Sequence, residues 1–413
     1  MPIIRYSIEL DWRFAGGSYE KPHSSVLQNH PFLVQRHQER MAKREDYSRL
    51  GGENEIDFWT IHTTPVGLGN PPLHLDALID TSWTAFFAAS VNCTYNAREK
   101  SYCIIHPLYN SSLSSTYRAD LSPCKMIYWG TEGIQTHGAV SMDSISLTGL
   151  QIPNQTFLEA TRWHPGSFTS DQFFDTVLGL ALYAANDSWG NFSAPGPFQN
   201  MINQQVMKEN VFSLTLPRND DERGEIVFGG MPGNITRKDL VEIPVNNTRV
   251  GEGDSLWDFY TSSGWQISVH NITMMSLISG ELISVLVEPH IAIIASALPY
   301  IALPEKAAKK VDELIGLTNG GTWVNCTTRS SLPEFMLTFD AGKWIRLTAW
   351  DYLLEVFDDI DGKLKCVSTF VSLGDSGNSG AILIGSPFLS GLYSVFDADR
   401  KSISFANRPL SSR

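Results

Sequence analysis

Basic residues are scarce in this chain. Its 413 residues hold 31 Lys and Arg against 44 Asp and Glu, a formal net charge of −13. So acidic a chain excludes a nucleic-acid partner held by phosphate contacts. Charge of either sign is thin, at 18% of residues against 42% hydrophobic, which fits a globular chain with a large core and excludes a disordered one. Long apolar runs are missing too. The best candidate for a membrane span, Ile291 to Leu303, is broken by Pro299 and preceded by Glu288 and His290. The ten histidines lack metal-site spacing, so His62, His74, His106, His137 and His290 read as structural, and neither a metal nor a cofactor is expected.

Cysteine is sparse. Cys93, Cys103 and Cys124 lie in the first half, Cys326 and Cys366 in the second. The even pair suggests one bridge; the odd set suggests one bridge and a leftover thiol. Asn-x-Ser/Thr motifs, in contrast, recur at Asn92, Asn110, Asn154, Asn186, Asn191, Asn234, Asn246, Asn271 and Asn325. Their number points to the secretory pathway, with an extracellular or vacuolar destination and glycans at these positions. Met1 to Leu10 has no signal-peptide pattern, so the expectation is a chain whose leader has been removed.

Residues 1–50 differ from the rest. Gln35 to Glu45 is polar, mixed in charge and rich in helix formers, and holds the dibasic pair Lys43-Arg44. It reads either as a removable pro-segment or as a solvated amphipathic helix. From Ile56 onward the texture is β: short apolar or alternating runs (Phe58–Ile61, Leu73–Ile79, Lys125–Trp129, Ala139–Leu147, Val211–Leu216, Glu225–Phe228) lie between Gly, Pro, Asn and Ser clusters. Helices are expected over Glu305–Ile315 and Gly196–Lys208. The halves echo one another. Each has a strand entering a tight turn, at Asp80 and at Ala295, and each later has an apolar strand ending in Gly, at 175–180 and at 381–385. Two β lobes meeting at a ligand cleft would explain the echo.

At these residues the chain resembles the pepsin-like aspartic peptidases, over roughly residues 55–413. Ile79-Asp80-Thr81-Ser82 is similar to the first hydrophobic-Asp-Thr-Gly motif, and Gly69-Asn-Pro-Pro72 to the turn ahead of it. Met126 to Gly133 resembles the flap hairpin, leading to Gly138 and Asp143. Phe174 to Leu180 resembles the strand behind the first motif. Gly224–Gly230, Trp265-Gln-Ile267, Ile382–Leu389 and Tyr393–Asp397 are similar to later landmarks in the same order. The resemblance implies a bilobal β fold, with lobes over 51–232 and 233–413 and a flap over 126–140. It also implies bridges Cys93–Cys103 and Cys326–Cys366, and a monomer.

The departures matter most. The family's second motif falls on Ala295-Ser296-Ala297-Leu298-Pro299, so the second catalytic aspartate position holds Ala295. Such peptidases divide base and acid roles between two carboxylates sharing a proton, and losing a member of such a unit costs on the order of 10³- to 10⁴-fold in rate. Ser82 stands for the first glycine and Trp83 for the next serine. The flap tyrosine falls on Trp129, which would replace a hydroxyl donor by an indole, or on Tyr128 if the register slips by one. Ser296 is expected to hydrogen-bond a water at most.

The expected cleft therefore holds Asp80 as a single acid or base, with Ser82, Trp83, Tyr128, Trp129, Gly130, Thr131, Ser296, Ala297 and Leu298 around it. Its expected occupant is an apolar small molecule or a peptide. Three functions fit: a repurposed cyclase, isomerase or dehydratase using Asp80; a non-catalytic binding protein; and a weak endopeptidase. Gly374 to Gly380 superficially matches a serine-protease string but reads as a surface loop, without a partnering His and Asp arrangement.

Overall fold

The computed structural model describes residues 6–14, 60–93, 103, 106–128, 134–147, 149–164, 174–182, 191–218, 222, 224–232, 235–251, 257, 260–261, 264–317, 323–358, 363–374 and 380–409. Mixed-charge residues 35–45, the flap tip at Trp129, Gly130 and Thr131, and the loop 375–379 lie outside them. The described chain is mainly β, with short helices, as its turn-rich texture predicts. Among the described residues, no helix is long and apolar enough to cross a membrane. Several strands outrun the expected apolar runs. Lys125–Trp129 overlaps the end of Arg118–Tyr128, and Ala139–Leu147 belongs to Ile134–Leu147. Polar residues extend these hairpin arms because backbone pairing, rather than apolar burial alone, defines a strand.

One strand escaped the sequence reading. Tyr6–Phe14 pairs antiparallel with Gly224–Phe228 through its first residues and with Thr60–Leu68 through its last. Its signal was present: Tyr6, Ile8, Leu10, Trp12 and Phe14 alternate with other residues at the strand period. Val211–Thr215 joins the same sheet, pairing on one side with Gly224–Phe228 and on the other with Leu392–Asp397. Strands from both ends of the chain thus share one sheet.

Glu305–Ile315 is helical as expected. Ala307, Ala308, Val311 and Ile315 form its buried stripe, and Gly316 ends it with φ 85°. The other helix is shorter than the 196–208 reading, covering only Pro197–Asn203. Gln205 takes φ 56°, which stops helix propagation. Cys93 pairs with Cys103 and Cys326 with Cys366, which leaves Cys124 as a buried free thiol.

Buried charges link distant segments. Arg218 Nε lies 2.8 Å from Asp351 Oδ1, and its Nη1 lies 3.0 Å from Glu222 Oε1. Arg408 Nη2 reaches the other Glu222 oxygen at 3.1 Å. Two guanidinium groups and two carboxylates neutralise one another, which makes their burial tolerable.

Candidate active site at two paired strand ends

Two strands of like construction end side by side. Leu73–Asp80 lies between an antiparallel neighbour, Thr60–Leu68, and a parallel one, Thr176–Gly179, with Asp80 opposite Gly179. His290–Ile294 lies between antiparallel Gln266–Val269 and parallel Ala381–Ile384, with Ile294 opposite Ile384. The Asp80 strand is braced from behind: the Asp76 amide donates to Asp175 Oδ2 at 2.9 Å, while Asp175 Oδ1 meets His106 Nδ1 at 3.0 Å.

Each parallel partner runs into a glycine where the turn of the strand beside it crosses. A Cβ at Gly179 would sit 2.6 Å from the Trp83 carbonyl oxygen, and one at Gly385 only 2.3 Å from those of Leu298 and Tyr300. Close backbone approach demands glycine at both places. It also equates Trp83 with Leu298, since each follows its strand end, Asp80 or Ala295, at the same spacing.

The two turns hold each other by exchanged hydroxyls. Thr81 Oγ1 donates to the Ile294 carbonyl at 2.6 Å and accepts from the Ser296 amide at 3.0 Å. Ser296 Oγ donates to the Ile79 carbonyl at 2.8 Å and accepts from the Thr81 amide at 3.1 Å. All four residues are buried. This corrects the expectation that Ser296 serves a water: its hydroxyl is engaged within the protein and ties the two strand ends together. Thr81 escaped the site reading, although a hydroxyl one residue after each strand end was visible in the sequence.

The residue before Thr81 is Asp80; the residue before Ser296 is Ala295. Asp80 has no exposed surface. Its Oδ1 accepts from the Ser82 amide at 2.7 Å and from the Ser82 hydroxyl at 2.6 Å, and Tyr128 donates to Oδ2 at 2.6 Å. Burial pushes its carboxyl above the ordinary value of 3.8, against the opposing pull of the Ser82 and Tyr128 hydrogen bonds. The Tyr128 contact corrects the expectation of an indole in place of a hydroxyl donor. The hairpin register that pairs Tyr128 with Ile134 sets the phenol over the acid. Of the two flap positions the sequence left open, Trp129 and Tyr128, it is Tyr128 that bonds the acid.

Around Ala295 the packing is apolar. Trp83, Tyr128, Ala295, Ala297 and Leu298 are buried in one hydrophobic cluster, with the Trp83 and Tyr128 rings 5.0 Å apart and edge-to-face. Two residues that the sequence reading passed over join it, Trp257 and Tyr260.

The sequons scatter over the described surface. Asn92, Asn154, Asn191 and Asn325 are exposed, whereas Asn110, Asn246 and Asn271 are half-buried. Asn186 and Asn234 lie outside the described residues.

With this geometry in place, similarity to known proteins becomes informative. The family model for "Eukaryotic aspartyl protease" matches residues 62–408. The chain belongs to that family. It is 30% identical over 350 residues to cathepsin D of Chionodraco hamatus, covering 83% of this chain and 79% of that protein. Vacuolar aspartic protease of Candida albicans is 28% identical over 83% of this chain and 74% of its own length. Pepsin A of Suncus murinus is also 28% identical, over 83% and 79% respectively. The bilobal pepsin-like β fold of this aspartyl protease homologue accounts for the doubled strand ends: each lobe supplies one, and the exchanged hydroxyls of Thr81 and Ser296 join them.

Proposed function

We propose that this aspartyl protease homologue has lost peptide hydrolysis and uses its cleft to hold an apolar small molecule. One observation carries the reading: the two strand ends are alike down to their exchanged hydroxyls, yet one presents Asp80 and the other Ala295. Hydrolysis by this family's chemistry needs one carboxylate to take a proton from water while its neighbour donates one to the scissile carbonyl. A methyl group does neither. The change is not isolated, because Ala297 and Leu298 surround the methyl with more apolar surface.

A second reading rests on Asp80 itself. Burial favours its protonated form, against the pull of the Ser82 and Tyr128 hydrogen bonds, and a protonated Asp80 would be an acid with the Tyr128 phenol bonded to its Oδ2. That would suit a cyclisation, dehydration or isomerisation of the bound molecule. The lobes of this protein are assigned to 51–232 and 233–413, with 1–50 a pro-segment-like region. The secretory route, with glycans on the exposed sequons, is supported by the vacuolar naming of one relative. Asp80→Asn separates the readings: ligand binding that survives without any chemical conversion supports a binding protein, and a conversion lost with the fold intact supports an enzyme. Cleavage of a denatured protein by the wild-type chain, blocked by a peptide carrying a tetrahedral mimic of the hydrolytic transition state, would overturn both.

A further inference from the structure

A cavity of about 30 Å³ lies where His62 and the Pro217-Arg218 segment meet the segments that carry Asp351, Thr369 and Ser386. That is room for about two waters. His62 lines it and is 2% exposed. Its Nε2 lies 3.2 Å from the Pro217 carbonyl oxygen, which can only accept, so Nε2 carries the proton and Nδ1 is a bare acceptor. Among the described residues, neither Nδ1 nor the buried Ser386 hydroxyl has a hydrogen-bond partner. The place is a seam between distant segments that back the two strand ends. Thr63, next to His62, pairs with Leu78 of the Asp80 strand, and the Ser386 amide donates to the Leu298 carbonyl at 2.7 Å.

The charges at this seam already balance. Arg218 holds Asp351 and Glu222, and Arg408 holds the other Glu222 oxygen. Asp351 Oδ2 takes the Thr348 amide and hydroxyl, each at 2.8 Å. In the neighbouring strands, Trp12 stands opposite His62, Asp76 stands opposite Pro65 three residues along, and Asp80 is held by Ser82 and Tyr128. A proton on His62 would therefore add a third positive charge to two cations and two anions. It would also create an Nδ1–H for which the seam offers only the Ser386 hydroxyl or entering water. Burial accordingly pushes the imidazole down to about 4 from an ordinary 6.5, against the pull of the Pro217 hydrogen bond.

We propose that His62 and the cavity it lines form an acid-sensitive latch across this seam, closed while the ring is neutral and loosened when Nδ1 takes a proton and water enters. The latch stands apart from whatever the cleft holds.

Urea unfolding of wild type and His62→Gln, from about pH 7 to about pH 4, tests it. The folded ring titrates below the unfolded one, so its contribution to stability is fully present above 6.5 and is lost as pH falls from there to about 4. One proton taken up on unfolding lowers the wild-type folding constant, relative to that of His62→Gln, by about tenfold per pH unit across that window. Asp80 and the other titrating groups are common to both chains and cancel in the ratio. Hydrogen exchange corrected for intrinsic rate locates the loss. On going from neutral pH to about pH 4.5, the amides of Ser386–Ser390 should lose protection in wild type and keep it in His62→Gln. Those of Glu334–Thr338, in a separate sheet, should change alike in both chains. A ratio that stays flat across the window, or a wild-type loss shared equally by Glu334–Thr338, overturns the latch. Should His62→Gln not fold, the wild type decides alone. Ring-nitrogen magnetic resonance should then find His62 neutral at about pH 6 with its proton on Nε2, and a ring already charged there overturns the proposal.

Discussion

Ser296→Ala is the sharpest probe of how the two strand ends are joined. The substitution deletes one buried oxygen that donates to the Ile79 carbonyl at 2.8 Å and accepts from the Thr81 amide at 3.1 Å. The Thr81 amide is left without that acceptor in a buried site, at about 1–3 kcal/mol, and the lost donation to Ile79 adds about 0.5–1.5 kcal/mol. The volume change is a single oxygen, so cavity formation adds little. The sum is a destabilisation of about 2–4 kcal/mol. Urea unfolding followed by tryptophan fluorescence measures the difference as a fall in midpoint at unchanged slope. An exposed control, Ser279→Ala, should leave the midpoint in place. A Ser296→Ala change below about 0.5 kcal/mol would refute the claim that this hydroxyl ties the strand ends together.

Four further outcomes follow from the same geometry. Asp80 has a folded-state value raised by burial, so its contribution to stability is fully present below the unfolded value near 3.8 and is lost as pH rises through the folded value. Asparagine never ionises, so Asp80→Asn should gain stability relative to wild type on going from acid to neutral pH in pH-resolved urea unfolding; an advantage that instead grew towards low pH would contradict the sign. Glu222→Gln leaves Arg218 and Arg408 with less buried negative charge and should cost about 3–5 kcal/mol in urea unfolding, against near zero if the network were solvated. Gly385→Ala forces a Cβ to 2.3 Å from two carbonyl oxygens and should prevent accumulation of soluble protein, whereas Gly280→Ala meets no neighbour and tests only its positive φ, at about 1–2 kcal/mol. Cys124 is buried with its thiol pushed up to about 11, first by burial and then by Asp120, so a maleimide should label it at neutral pH only after unfolding.

Much of the fold was legible because it depends on features that one sequence displays. The doubled pattern of a strand entering a turn, followed by an apolar strand ending in glycine, placed both halves of the site. Close packing at Gly179 and Gly385 explains why those glycines were signals at all. The helix over Glu305–Ile315 followed from its apolar spacing after Pro304. What escaped depended on partners. Tyr6–Phe14 alternates clearly, but only its pairing with strands far along the chain makes it part of a sheet. Ser296 looked like a free hydroxyl until the fold brought Ile79 and Thr81 to it. Motif position left Tyr128 and Trp129 both open, and only the hairpin register brings Tyr128 to Asp80. Trp257 and Tyr260 belong to no motif, and only tertiary packing brings them beside the strand ends.

The most direct measurement is hydrolysis of a denatured protein substrate by the wild-type chain, with Asp80→Asn as reference, between about pH 3 and 7, the range in which carboxylate chemistry is expressed. With Ala295 beside Asp80, wild type and Asp80→Asn should be indistinguishable at every pH. Cleavage by wild type that a transition-state-mimic peptide blocks and that Asp80→Asn abolishes would contradict the account.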